Sequence, residues 1–95
     1  MREQTQILIP NPKSANAPYA FLEFNRLIIR LDTEVSYNYA VSSGDGSVVS
    51  KGTFETEIEL ELPFSESSSI FQLDIFNADH HFTYNFIVPR ASQVG

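Results

Sequence analysis

Val35-Ser36-Tyr37-Asn38-Tyr39-Ala40-Val41 is followed by Ser42-Ser43-Gly44-Asp45-Gly46-Ser47 and then by Val48-Val49-Ser50-Lys51-Gly52-Thr53-Phe54. In the first run Val35, Tyr37, Tyr39 and Val41 alternate with small or polar residues, the period of a strand with one buried face. The two glycines of the middle run can take the positive φ that a tight loop demands. The third run then returns as the antiparallel partner, with Gly52 expected to bend or bulge it. A strand, a tip and a return strand make a hairpin.

The same alternation extends in both directions. Upstream, Tyr19–Phe24 and Leu27–Leu31 flank Asn25-Arg26, a spacing that suits a two-residue hairpin turn. Leu27, Ile29 and Leu31 share one face there. Downstream, Ile58, Leu60 and Leu62 alternate with Glu57, Glu59 and Glu61. Phe71, Leu73 and Ile75 follow the loop Pro63–Ser69. Asn77–His81 reads as a turn, and Phe82, Tyr84, Phe86 and Val88 close the series. Seven short strands with turn-rich connections and no helical period predict an all-β chain. Its expected form is an antiparallel β-sandwich rather than a parallel sheet. Residues 19–95 form this single domain, and residues 1–18 form an extended arm holding Pro10, Pro12 and Pro18.

Composition narrows the function classes. The chain has 95 residues, 42% hydrophobic and 19% charged, which suits one folded core rather than disorder. Twelve acidic against six basic residues give a formal charge of −6, a poor match for nucleic acid. The absence of cysteine removes disulfides, thiol nucleophiles and zinc–thiolate sites. No apolar run reaches the roughly 18 residues of a membrane span. Ile7-Leu8-Ile9 is also far shorter than the roughly 7–15 residues of a signal-peptide core.

Chemistry-bearing clusters are few, and each has a plain structural account. Glu55, Glu57, Glu59 and Glu61 stand on one face at about 7 Å intervals. A straight row of this kind diverges and cannot converge on a calcium ion, so it reads as the solvated face of an outer strand. Asp45 lacks the alternating acids and closing glutamate of a calcium loop and reads as a hairpin tip. His80 and His81, adjacent in the chain, point to opposite faces and cannot easily share a metal. No Gly-x-Ser-x-Gly elbow is present. No catalytic, cofactor-binding or metal-binding residue is assigned, and no cofactor is expected.

Most of the twelve aromatic residues fall on the inward phase of their strands. Tyr19, Phe21, Phe64 and Phe76 are off that phase or in loops, and are expected as exposed contacts. Ile7, Leu8 and Ile9 join them as candidate partner contacts, because an apolar segment on a proline-rich tether can pair with a sheet edge. The tether favours pairing within the same chain over pairing with a second molecule. A monomer is therefore expected, with weak edge-strand association at most.

The segment Tyr19–Val88 resembles the small secreted immunoglobulin-like β-sandwich proteins of unknown function from Bacteroides-type gut bacteria. The likeness is carried by the hairpin Phe24-Asn25-Arg26-Leu27-Ile28-Ile29, the strand Val35–Val41, the Gly-Asp-Gly tip and the return strand Val48–Phe54. Ile58–Leu62, Phe71–Asn77 and the closing Tyr84-Asn85-Phe86-Ile87-Val88 complete it. The resemblance implies an antiparallel immunoglobulin or fibronectin-III-like β-sandwich of about seven strands, and an exported protein in the periplasm or at the cell surface, its signal peptide removed; it brings no catalytic residues with it. The expected function is a non-enzymatic binding or adhesion-type module acting through contact with a protein. The alternative is a carbohydrate-binding module using exposed aromatic rings on a glycan.

Overall fold

A computed structural model describes residues 5–11, 13–14, 16–32, 34–62 and 69–88. Eight strands run in the order β1 Thr5–Leu8, β2 Tyr19–Glu23, β3 Arg26–Arg30, β4 Tyr37–Ser43, β5 Val48–Phe54, β6 Glu57–Glu61, β7 Ser69–Phe76 and β8 His81–Val88. They form two four-stranded sheets, β1-β2-β3-β6 and β5-β4-β7-β8, in which every strand pairing is antiparallel. The fold is all-β, and all seven strands expected from the alternation are present. The eighth comes from the arm, whose Thr5–Leu8 pairs with β2.

The core lies between the sheets and is built by the alternating residues. Leu22, Leu27 and Ile29 of the first sheet are essentially inaccessible, as are Val41, Leu73, Ile75 and Tyr84 of the second. No described buried side-chain polar atom lacks a partner. The Tyr84 hydroxyl donates to the Pro18 carbonyl at 2.6 Å, and burial raises this phenol above its ordinary range. The core side chain is thereby tied to the last residue of the arm. Pro10 makes an isolated bridge with Tyr84, and the Asn11 N–H donates to the Thr83 carbonyl at 2.8 Å. The arm thus starts on the edge of the first sheet and crosses to the edge strand of the second.

Several local expectations need correction. Val35 is exposed, because β4 begins only at Tyr37 and Val35-Ser36 belong to the connection between sheets. The β2–β3 turn is Phe24-Asn25, one residue earlier than the composition suggested, with Glu23 opposite Arg26. Phe24 takes φ 54°, a left-handed conformation that costs an aromatic residue energy. Asn25 helps hold the turn there: its Nδ2 donates to the Leu62 carbonyl at 2.7 Å and its own carbonyl accepts from the Leu62 N–H at 2.8 Å. The register shift in β4–β5 falls between Val41 and Ser42, not at Gly52. Gly52 instead faces Tyr39, whose ring atoms lie 3.1–3.3 Å from where a Cβ would stand. A side chain at this position would require the Tyr39 ring to shift by a few tenths of an ångström.

The two tips follow known turn chemistry. In the β4–β5 hairpin the Gly46 N–H donates to the Ser43 carbonyl at 2.9 Å, and Gly46 takes φ 92°. At the β7–β8 hairpin the Asn77 Oδ1 accepts from the backbone N–H groups of Asp79 and His80 at 2.9 and 2.8 Å.

Candidate interaction face

Antiparallel register brings residues of one phase into rows across the outer face of the first sheet. Ile7 stands opposite Phe21, Phe21 opposite Ile28, and Ile28 opposite Glu59. Ile7 is 70% exposed, whereas Phe21 and Ile28 are half-buried. Directly paired side chains of a sheet lie about 4.5–5.5 Å apart at Cβ, so these three make a continuous apolar row. Tyr19, exposed, stands on the same face of β2 as Phe21, and Ile9, also exposed, directly follows β1. The apolar stripe thus crosses three strands of the solvent-facing side.

Charge borders the stripe. Arg30 stands between Tyr19 and Glu57 in the row on one side, and Glu23, Arg26 and Glu61 share the row on the other. The Arg30 Nε donates to Glu57 Oε1 at 3.1 Å, and Arg26 lies 3.9 Å from Glu59. These exposed pairs add little stability. Their effect is to leave Glu23, Glu57, Glu59 and Glu61 against two guanidiniums, a rim with a negative surplus. The glutamate row of β6 is a solvated outer-strand face as its spacing predicts. Glu55 falls outside the row, in the β5–β6 corner, where it accepts from the Ser36 hydroxyl at 2.9 Å.

Of the seven candidate contacts, Ile7, Tyr19 and Phe21 come together on this face, with Ile9 next to them. Leu8 does not. It is 7% exposed and packs into the core, because its neighbours Ile7 and Ile9 take the outward phase. Phe76 lies on the outer face of the other sheet, its ring edge-on to His81 with centroids 5.8 Å apart. Phe64 lies outside the described residues. Ile28 was missed. It is the middle of Leu27-Ile28-Ile29, and two inward neighbours oblige it to face outward.

The remaining titratable groups are engaged locally. The His81 Nε2 lies 3.0 Å from Asp74 Oδ1, while the His80 ring stacks on Phe82 at 5.9 Å. Burial pushes the Asp74 carboxyl up, but hydrogen bonds from Gln72, His81 and Thr83 outweigh it and hold the group below its ordinary value. Asp45 is lowered to about 2 by the Ser43 hydroxyl and the Ser47 backbone N–H, hydrogen bonds that fix the β4–β5 tip. Among the described residues, no three His, Asp or Glu side chains converge as metal ligands would. Among the described residues, no helix is long and apolar enough to cross a membrane.

No family model matches the sequence, and no curated protein matches it. A solved structure does match in shape: a DUF3244 family protein with an immunoglobulin-like β-sandwich fold from Bacteroides vulgatus. The TM-score is 0.66 at 13% sequence identity, over 90% of this chain and 94% of that one. At that identity the likeness shows the fold, an immunoglobulin-like β-sandwich. The solved structure is of the kind that the strand and turn pattern resembles.

Proposed function

We propose that this chain is an exported, non-enzymatic module that binds a protein partner through the outer face of its first sheet. The observation that carries this function is the row Ile7–Phe21–Ile28 with Tyr19 beside it, apolar at its centre and acidic at its rim. Interfaces have this anatomy, with an apolar core surrounded by polar groups. The surplus of carboxylates selects a partner with an aliphatic or aromatic ridge flanked by lysine or arginine. Export is carried over from the resemblance in sequence pattern. A glycan partner is the second reading, favoured by Tyr19 and Phe21 on one strand face about 7 Å apart.

Photo-crosslinking from position 28 in the source cells, with position 53 on the other sheet as control, tests the proposal. A protein crosslinked from position 28 alone is then purified and titrated against the intact chain and Ile28→Ser. Loss of about tenfold or more in affinity, with further weakening by salt, is the expected result. Equal crosslinking from both positions, or unchanged affinity, overturns it. Saturation of the face by an oligosaccharide with no protein crosslink selects the glycan.

A further inference from the structure

The outer face of the second sheet has a different construction. Ser42, Gln72 and Asn85 stand side by side in one row across β4, β7 and β8. Strand spacing puts these three uncharged polar side chains about 4.8 Å apart. The row lines a groove of about 340 Å³ with the β4–β5 tip, where Gly44 and Gly46 border it, and with Ile70. That volume is at the lower end of the roughly 300–1,000 Å³ typical of small-molecule pockets. Ile70 is 60% exposed and pairs with Ile87, also exposed, so an aliphatic step flanks the polar row.

The groove is oriented in advance. Asp74, one row below, accepts at Oδ2 from Gln72 Nε2 at 3.0 Å and at Oδ1 from His81 and Thr83 at 3.0 and 2.9 Å. An ionised carboxylate only accepts, so Gln72 must donate, and its Oε1 is left as an acceptor. The tip is fixed by the hydrogen bonds Ser43 and Ser47 make to Asp45. A pre-set groove loses less on binding than a floppy one. Its neighbours also choose the charge of the occupant. Asp45 and Asp74 disfavour an anion, and both oxygens of Asp74 already accept hydrogen bonds from the protein. A ligand rich in neutral hydroxyl groups, each able to donate and accept, matches a row of one hydroxyl and two amides.

We infer that this groove binds a neutral saccharide residue, with its hydroxyls on Ser42, Gln72 and Asn85 and its less polar face against Ile70. The site lies on the sheet opposite the protein-contact face and does not depend on it. Titration of the full chain with glucose, galactose and N-acetylglucosamine, followed by amide chemical shifts, is the test. Saturable millimolar binding of at least one sugar is expected, with shifts confined to residues 42–47, 70–72 and 85. Asn85→Ala and Gln72→Ala, both at exposed positions, should each weaken it by about tenfold or more, and Phe21→Ser should not. No saturable shift with any of the three sugars overturns the inference. So does saturation centred on Tyr19 and Phe21, or affinity unchanged in Asn85→Ala.

Discussion

The two lateral sides of the sandwich are closed by opposite means. On one side the arm runs along β2 and then along β8, and contacts far apart in the chain hold it: Pro10 with Tyr84, Asn11 with Thr83, Pro18 with the Tyr84 hydroxyl. On the other side β5 passes to β6 through Glu55-Thr56 alone. There the Glu57 N–H donates to the Glu55 carbonyl at 2.7 Å around Thr56 at φ 71°, a γ-turn of the rare positive-φ kind. The first side is closed by a long tether. The second is closed by a tight, strained corner, which the Leu31 N–H helps hold by donating to the Thr56 carbonyl at 2.7 Å. Similar closure can thus be reached by spending sequence on a tether or by accepting a costly backbone conformation.

The largest expected effect breaks the first side. Tyr84→Phe keeps the ring but leaves the buried Pro18 carbonyl without its donor, at a cost of about 1–3 kcal/mol. Denaturant unfolding should show a lower midpoint with unchanged slope, and an unchanged midpoint would show that water replaces the hydroxyl. Next comes the strained side. Thr56→Gly removes a β-branched residue from the left-handed region and should stabilise by up to about 1 kcal/mol after the entropic penalty of glycine. A lower melting temperature would mean that the threonine conformation carries no net strain.

Smaller still is the double change Glu57→Gln with Glu59→Gln on β6. It removes repulsion along the strand and two exposed ion pairs with Arg30 and Arg26 together, so stability should move by less than about 1 kcal/mol. Calcium bound by the parent and lost in the variant would contradict a purely solvated row. The least effect on the whole molecule belongs to the tip beside β5. Asp45 is lowered to about 2 in the folded chain from its ordinary 3.8, so its contribution to stability is complete above 3.8 and is lost as pH falls through about 2. Ser43→Ala should move the Asp45 midpoint upward, read by carboxyl carbon chemical shift. An unmoved midpoint would assign the lowering to the Ser47 backbone N–H.

Most of the fold was legible because alternation is a local property: Leu27 and Ile29, or Phe82, Tyr84, Phe86 and Val88, declare their face without reference to any partner. What was not legible depends on partners. Thr5–Leu8 is a strand only because β2 offers it an edge. Phe24 occupies a turn position that its own preferences oppose, and the two Asn25–Leu62 hydrogen bonds that help hold the turn come from across the sheet. The same division runs through the interaction face. That Tyr19 and Phe21 point outward follows from phase. That Ile7 and Ile28 flank Phe21 follows from the order β1-β2-β3, which no residue count reveals. Leu8 illustrates the hazard, since three apolar residues in a row look alike until register separates Ile7 from Leu8.

The hydrogen bond between Tyr84 and Pro18 spans 66 residues, and it sets an order of events during synthesis. The arm leaves the ribosome long before β8 is polymerised. At typical elongation rates the interval is on the order of ten seconds. Throughout it the Pro18 carbonyl has no phenol to meet, Pro10 and Asn11 have no edge to join, and Leu8 has no completed core to enter. A nascent chain halted before residue 81 would carry an arm with no partner except β2, its contacts to β8 all unmade. Arrival of β8 is therefore the event that secures the arm.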